Sequence, residues 1–413
     1  MSHCLKAGSN IPGLSHTEPK VYEEEYTKMK MKKILSTVAL SLVLSVALTA
    51  CGTSTTATTA ATTKAAGETT AAAGATTAAA GETTKATIAA KDIYIPVISK
   101  GLQHQFWQVV KKGCDDAAAK YGITITFEGP ASESEIAAQV TMLDSAIAKK
   151  PSAICLAALS TDSVTDQLNK CIANKIPVIG FDSGVPGAPE GSIYANASTD
   201  NTAAGALAAT SMFPAIETQV KAATVAAPIR IAVLSQDATS ESVKGRTKGF
   251  IDEMVKLVNG AGITDVSIVG HDMYKNDVAE KSAAVVIDVA VSATTAAADL
   301  ATSCSALLNK SPIAIYGSNE SAANGILDAS NEGADLGKII AVGFDAGIRQ
   351  KTAVRAGYFY GSITQDPYNI GYQAVELAYK AVMGEKVANV DTGAKFYTAA
   401  NIDDASIKDL VYD

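Results

Sequence analysis

From Ile93 onward the chain alternates two patterns of apolar and polar positions. Short unbroken apolar runs, at Ile93–Ile98, Ile123–Phe127, Ala153–Leu159, Pro177–Phe181, Ile229–Leu234, Val266–Val269, Ile313–Tyr316 and Ile339–Phe344, predict strands buried on both faces. Between them apolar residues recur at helical spacing, over stretches such as Phe106–Tyr121, Glu135–Lys150, Thr165–Lys175, Glu241–Val258, Ala322–Asn331 and Tyr368–Met383. Strands separated by helices predict an α/β fold of parallel sheets covered on both faces. Some 320 residues carry this alternation, more than one core usually encloses, so two doubly wound lobes are expected. The apolar run Val285–Val291, within 272–311, is left without an assigned element.

Residues 1–90 follow neither pattern. Lys30-Met-Lys-Lys33, the apolar run Ile34–Leu48 and Leu48-Thr-Ala-Cys51 have the layout of a lipoprotein signal over 31–50, with lipid expected on Cys51. The apolar run falls short of the roughly 20 residues that a membrane span needs. Residues 1–30 place Glu23-Glu-Glu25 where a signal carries positive charge, so translation is expected to start at Met29 or Met31 and this leader to be non-native. Residues 51–90 form a Thr/Ala-rich tether. Gly52–Thr87 lacks aromatic residues, Leu, Ile and Val, so it cannot bury enough apolar surface to order itself, and its mean reach is roughly 30 to 36 Å.

The net charge is −8, with 18% charged and 47% hydrophobic residues, a balance without the basic footprint of a nucleic-acid partner. Of four histidines only His104 and His271 fall in the foldable part, and no His or Cys pattern for a metal occurs. Neither a dinucleotide nor an NTP motif is present, so no cofactor is expected. Cys114, Cys155, Cys171 and Cys304 lie in apolar runs and read as buried small hydrophobes, a disulfide among them remaining open.

One internal echo carries more chemistry. Val178-Ile-Gly-Phe-Asp182-Ser-Gly-Val185 recurs as Ala341-Val-Gly-Phe-Asp345-Ala-Gly-Ile348. Each copy ends a strand with a carboxylate, and in open α/β sheets ligands bind beyond the carboxyl ends of strands. Two readings stand: each Asp caps the next helix, or the pair meets a ligand in a shared cleft. A carboxylate pair also suits glycoside hydrolysis, but nothing in the sequence raises a pKa as that requires, and two ionised acceptors suit sugar hydroxyls equally. After the first strand, Lys100-Gly-Leu-Gln-His104-Gln-Phe106-Trp107 sets aromatic faces beside polar groups, as sugar recognition does. One of Phe106 and Trp107 is expected in the core and the other on the ligand.

Taken in order, that aromatic pair, Ile176-Pro-Val-Ile-Gly-Phe-Asp182, Ser198-Thr-Asp-Asn201, Arg246-Thr-Lys-Gly-Phe250, Gly317-Ser-Asn319-Glu320, Val342-Gly-Phe-Asp345 and Ile363-Thr-Gln365-Asp-Pro367 resemble the periplasmic sugar-binding proteins of the ribose, galactose and xylose type, which serve ABC importers. The resemblance implies two similar lobes joined by a three-segment hinge, crossed near Ser198, Gln365 and Tyr397. An N-terminal lobe of 91–198 plus 366–396 would face a C-terminal lobe of 199–365 plus 397–413. It carries over as ligand contacts Lys100, His104, Phe106, Trp107, Asp182, Ser183, Asn319, Asp345 and Gln365, and either Lys244 or Arg246, the latter preferred for its two-pronged donor fork. Ser183 stands where ribose-type proteins carry Arg, which argues against ribose. Lys100 and His104 replace smaller polar groups, pointing to an anionic, oxidised or phosphorylated sugar or an autoinducer-like polyol. The expected protein is a non-enzymatic, extracytoplasmic, monomeric lipoprotein that hands a sugar-like ligand to importer permease subunits, with a receptor feeding a chemoreceptor or sensor kinase as the alternative.

Overall fold

The computed structural model describes residues 88–412; the signal, Cys51 and the tether lie outside the described residues. The strands are β1 (Tyr94–Ile98), β2 (Thr124–Glu128), β3 (Ile154–Leu156), β4 (Val178–Phe181), β5 (Ile193–Ser198), β6 (Ile229–Ser235), β7 (Val266–Val269), β8 (Val285–Val291), β9 (Ala314–Gly317), β10 (Ile340–Phe344), β11 (Gly361–Gln365), β12 (Val390–Asp391) and β13 (Ala394–Tyr397). The helices are α1 (Gln105–Tyr121), α2 (Ile136–Ala148), α3 (Thr165–Asn174), α4 (Asn201–Ala222), α5 (Glu241–Gly260), α6 (Ala297–Leu308), α7 (Glu320–Ala329), α8 (Ile348–Arg355) and α9 (Pro367–Met383).

Two sheets result. The first, in the order β12-β5-β4-β3-β1-β2, is wholly parallel. The second, β13-β11-β10-β9-β6-β8-β7, is parallel except that β13 runs antiparallel to β11. The chain passes between sheets at Thr199–Asp200, at Asp366 and at Thr392–Gly393. The third passage comes ahead of Tyr397, near which the sequence placed it, because Ala394–Tyr397 pairs along the whole of β11 and so belongs to the second sheet. The first and third of these segments are tied to one another: the Asp391 carboxylate accepts from the amides of Asp200 and Gly393, and the Thr199 hydroxyl donates to the Gly393 carbonyl.

Helices cover both faces of each sheet, and two close crossings repeat the same device. Where α1 meets α9, a Cβ on Gly113 would lie 2.0 Å from the Tyr368 carbonyl, and one on Gly371 2.0 Å from the Val110 carbonyl. Where α4 meets α5, a Cβ on Gly205 would lie 2.1 Å from the Arg246 carbonyl, and one on Gly249 2.1 Å from that of Thr202. Reciprocal glycines thus let backbones touch, the use that offsets glycine's poor helix propensity.

Helix α4 was missed by the periodicity because its run of Ala, Thr and Gly offers little contrast between faces, and Pro214 sits inside it. Its identity is set by packing. The Val285–Val291 run is a strand, interrupted in character only by Asp288, whose buried carboxylate accepts from Arg230 at 3.0 Å and Lys310 at 2.7 Å. Cys114, Cys155, Cys171 and Cys304 are buried free thiols, as expected. Among the described residues no helix is long and apolar enough to cross a membrane.

Candidate functional site

Both repeated aspartates sit at strand ends in left-handed backbone, Asp182 at φ 54° and Asp345 at φ 77°. Asp is among the few non-glycine residues that tolerate this region, at a cost of order 1 to 3 kcal/mol that the surroundings must hold. Around Asp345 they do so visibly: its carbonyl accepts from the Ser362 and Tyr397 hydroxyls, and its amide donates to Ile363. Neither residue caps the helix that follows its own strand; Gly347 stands at the start of α8, and β4 leads to β5. The Asp345 carboxylate does accept from the amide of Glu320, the first residue of α7, at 3.0 Å.

What the two carboxylates share is Arg246. Helix α5 brings its guanidinium to 4.0 Å from Asp182 and 3.9 Å from Asp345, donating to Asn201 and Gln365 and lying over the Phe344 ring. Gln365 in turn donates to Asp345 at 2.7 Å. Lys244, the other cation considered, is only half-buried and takes no part in this cluster; Arg246 is the one that stands near both aspartates.

Lys100, at the end of β1, is 4% exposed and spans the lobes: its ammonium lies 2.9 Å from Asp182, donates to the Ser242 hydroxyl at 2.9 Å and stands over the Trp107 ring. Burial opposes its charge, but Asp182 and Glu133 outweigh that and raise its pKa. Ser183 accepts from the amide of Ser242. His104 meets the Ser321 hydroxyl at 2.8 Å across the seam. Asn319 caps α7 through Ala322 and donates to Gln236.

Phe106 and Trp107 are both buried in the core, so burial does not divide them into a core residue and a ligand residue as expected. They pack edge to face, and Trp107 meets Phe181 the same way. The Trp107 indole donates to Glu133 at 2.8 Å. Glu133 also accepts from Gln236 of the second lobe at 2.9 Å and lies 3.9 Å from His104. Burial would raise its pKa, but the charges of Lys100 and His104 and these two bonds hold it below the ordinary value. Burial pushes Asp345 up, with Arg246 and Gln365 opposing and Asp182 adding.

Sequence reasoning missed Glu133, Gln236, Ser242 and Asn201. A usable signal existed for two of them, since Glu133 and Gln236 each lie in the loop just beyond a strand's carboxyl end, after β2 and β6. Further bonds close the rim: Ser132 to Thr295, and Thr239 to the Leu159 carbonyl. The arrangement is a pair of lobes meeting through buried hydrogen-bonding groups that are rich in carboxylate acceptors.

Residues 88–386 match the family described as periplasmic binding protein domain. A solved structure titled as an ABC transporter, LacI family transcriptional regulator, from Brachyspira murdochii is 41% identical, covers 78% of this chain and 99% of its own, and superposes with a TM-score of 0.66. An ABC transporter solute-binding protein from Agrobacterium vitis with bound D-fucose is 31% identical over 77% of this chain and 100% of its own, with a TM-score of 0.65. The D-allose-binding periplasmic protein of Escherichia coli (strain K12) is 23% identical over 306 residues, 73% of this chain and 88% of that one.

Proposed function

Because the chain belongs to the periplasmic binding protein domain family, we propose that its interlobe seam captures a neutral sugar or sugar-like polyol outside the cytoplasm and that the closed protein delivers it to the permease subunits of an ABC importer. The observation that carries this reading is the pair Asp182 and Asp345, on matching strand ends with Arg246 between them. Ionised carboxylates accept from adjacent hydroxyls, and Arg246, which keeps guanidinium N–H groups beyond its bonds to Asn201 and Gln365, adds a donor at a fixed position. Asp182 Oδ2, buried and without a hydrogen-bond donor beyond the ion pair to Lys100, has acceptor capacity left for a ligand hydroxyl.

Neutrality follows from the balance of charge. Lys100 is engaged by Asp182 and Ser242, and His104 by Ser321, so the two residues that suggested an anion are spent within the protein. Asp182, Glu133 and Asp345 line the seam with acidic groups. The Agrobacterium vitis relative with bound D-fucose and the D-allose-binding protein of Escherichia coli both take neutral sugars.

A thermal-shift screen of neutral pentoses, hexoses, polyols, sugar acids and sugar phosphates, followed by calorimetry, tests it. A ligand at 100 times its dissociation constant adds about 2.7 kcal/mol. A shift by sugar acids or phosphates alone would overturn the neutral class. We read the carboxylate pair as binding and not hydrolytic; incubation with aryl glycosides is expected to release no phenol. Lipid on Cys51 would tether a monomer to the membrane, and incorporation of an alkyne fatty acid, lost in Cys51→Ala, is the expected result.

A further inference from the structure

Glu320 begins α7 in the second lobe, yet its carboxyl group lies in the seam between the lobes. The side chain is 7% exposed, and Oε2 is buried without a hydrogen-bond partner. Oε1 crowds the same point as Gln105 Oε1 of the first lobe: a Cβ on Gly347 would lie 2.7 Å from the former and 3.0 Å from the latter. Gln105 Oε1 accepts there from the Ile348 amide, so this spot is sealed only when the lobes meet. The ring of ionisable neighbours is mostly acidic. Asp345 lies beside it on the loop after β10, Glu133 reaches over from the loop after β2, and Tyr397 and Tyr412 come from β13 and the tail. Arg246 faces Asp345, and the His104 ring faces Ser321.

From this we infer that closing the lobes requires Glu320 to be neutral, so that closure, and ligand capture with it, takes up a proton at this side chain. The inference rests on the reading of the seam as one that opens and closes. In the open form Glu320 faces water, with an ordinary value of about 4.3. In the closed form burial, then Asp345 and Glu133, push it up to about 8, against a hydrogen bond from the Phe106 amide. A carboxyl group raised on closure favours the closed state fully below its open value and loses that contribution as pH rises to its closed value. The closed-to-open ratio therefore falls by up to about tenfold per pH unit over this window and levels off above about pH 8.

The experiment needs no ligand. Small-angle scattering reads lobe separation, and the emission of Trp107, the single tryptophan of the chain, reads the seam. Both are followed from pH 5 to 9 in the wild type, Glu320→Gln and His104→Gln. The expected result is opening with rising pH in the wild type and His104→Gln, and a pH-independent closed form in Glu320→Gln. Equal opening in Glu320→Gln, or loss of the response in His104→Gln, overturns the assignment to Glu320 while leaving a mobile seam intact. A wild type that keeps one lobe separation at every pH overturns it too, and sugar capture is then decided by the thermal-shift screen alone.

Discussion

In the first lobe Asp182 meets the Lys100 ammonium directly at 2.9 Å; in the second, Asp345 stands 3.9 Å from Arg246 and shares its burial with Glu320 and two neutral donors. The sheets differ as well. Reading outward, β4-β3-β1-β2 is answered by β10-β9-β6-β8, and β7 is an added edge strand. It is β8 that stands where β2 stands: each is followed by a loop that reaches the rim, meeting through Ser132 and Thr295, and then by a helix, α2 or α6. The added strand lengthens the chain between α5 and β8 without touching the seam. What the comparison teaches is that the shared plan fixes where the strand-end carboxylates stand, while local charge decides the surroundings of each.

The largest test of that contrast is Asp182→Ala. It strands the Lys100 ammonium in a buried site, and breaking such a pair destabilises by about 3 to 5 kcal/mol. Urea unfolding should show this, and the double variant Lys100→Met/Asp182→Ala should recover most of it. Ligand affinity separates the residues less: calorimetry is expected to find each of Asp182→Ala and Asp345→Ala weaker by roughly 10- to 150-fold, the loss of one charge-assisted contact. Unchanged affinity in both would remove them from the site.

Next in size are the helix crossings. Gly113→Ala and Gly205→Ala should each lower stability by about 1 to 3 kcal/mol, because the new Cβ meets a backbone carbonyl. Only Gly205→Ala displaces the helix that carries Arg246, so only it should also weaken ligand binding. Asp345→Asn sharpens the electrostatic difference. A carboxyl group raised in the fold stabilises most below its unfolded value and loses this as pH rises through its folded value. The wild type should therefore lose stability relative to Asp345→Asn as pH rises above the ordinary aspartate value of about 4, in urea midpoints. Smallest is Thr295→Val at the rim, expected to change stability by less than about 0.5 kcal/mol.

Eight of the described strands and the paired aspartates were legible because continuous apolar runs and a repeated strand-end sequence are local signals, whereas β5, β11, β12 and β13 carry no such run. Lys100, Phe106, Trp107, Arg246, Asn319 and Gln365 were placed through the ordered motifs. Other features were not local. Helix α4 takes its identity from glycine contacts with α5, and β8 hides behind Asp288, whose partners come from β6 and from the end of α6. Glu133 and Gln236 acquire a role only when two loops some hundred residues apart meet, as their bond shows.

The passage of the chain back into the first sheet has a bearing on biosynthesis. Helix α1 rests on α9, and β5 gains its outer neighbour only from β12. Both partners leave the ribosome about 260 residues after α1 ends, which at roughly 5 to 20 residues per second is on the order of 13 to 50 s. Through that interval the first lobe has an uncovered helix seam and an unpaired strand edge. Completion of the first lobe is therefore among the last events of the chain's synthesis, after the second lobe's strands β6 to β11 have emerged.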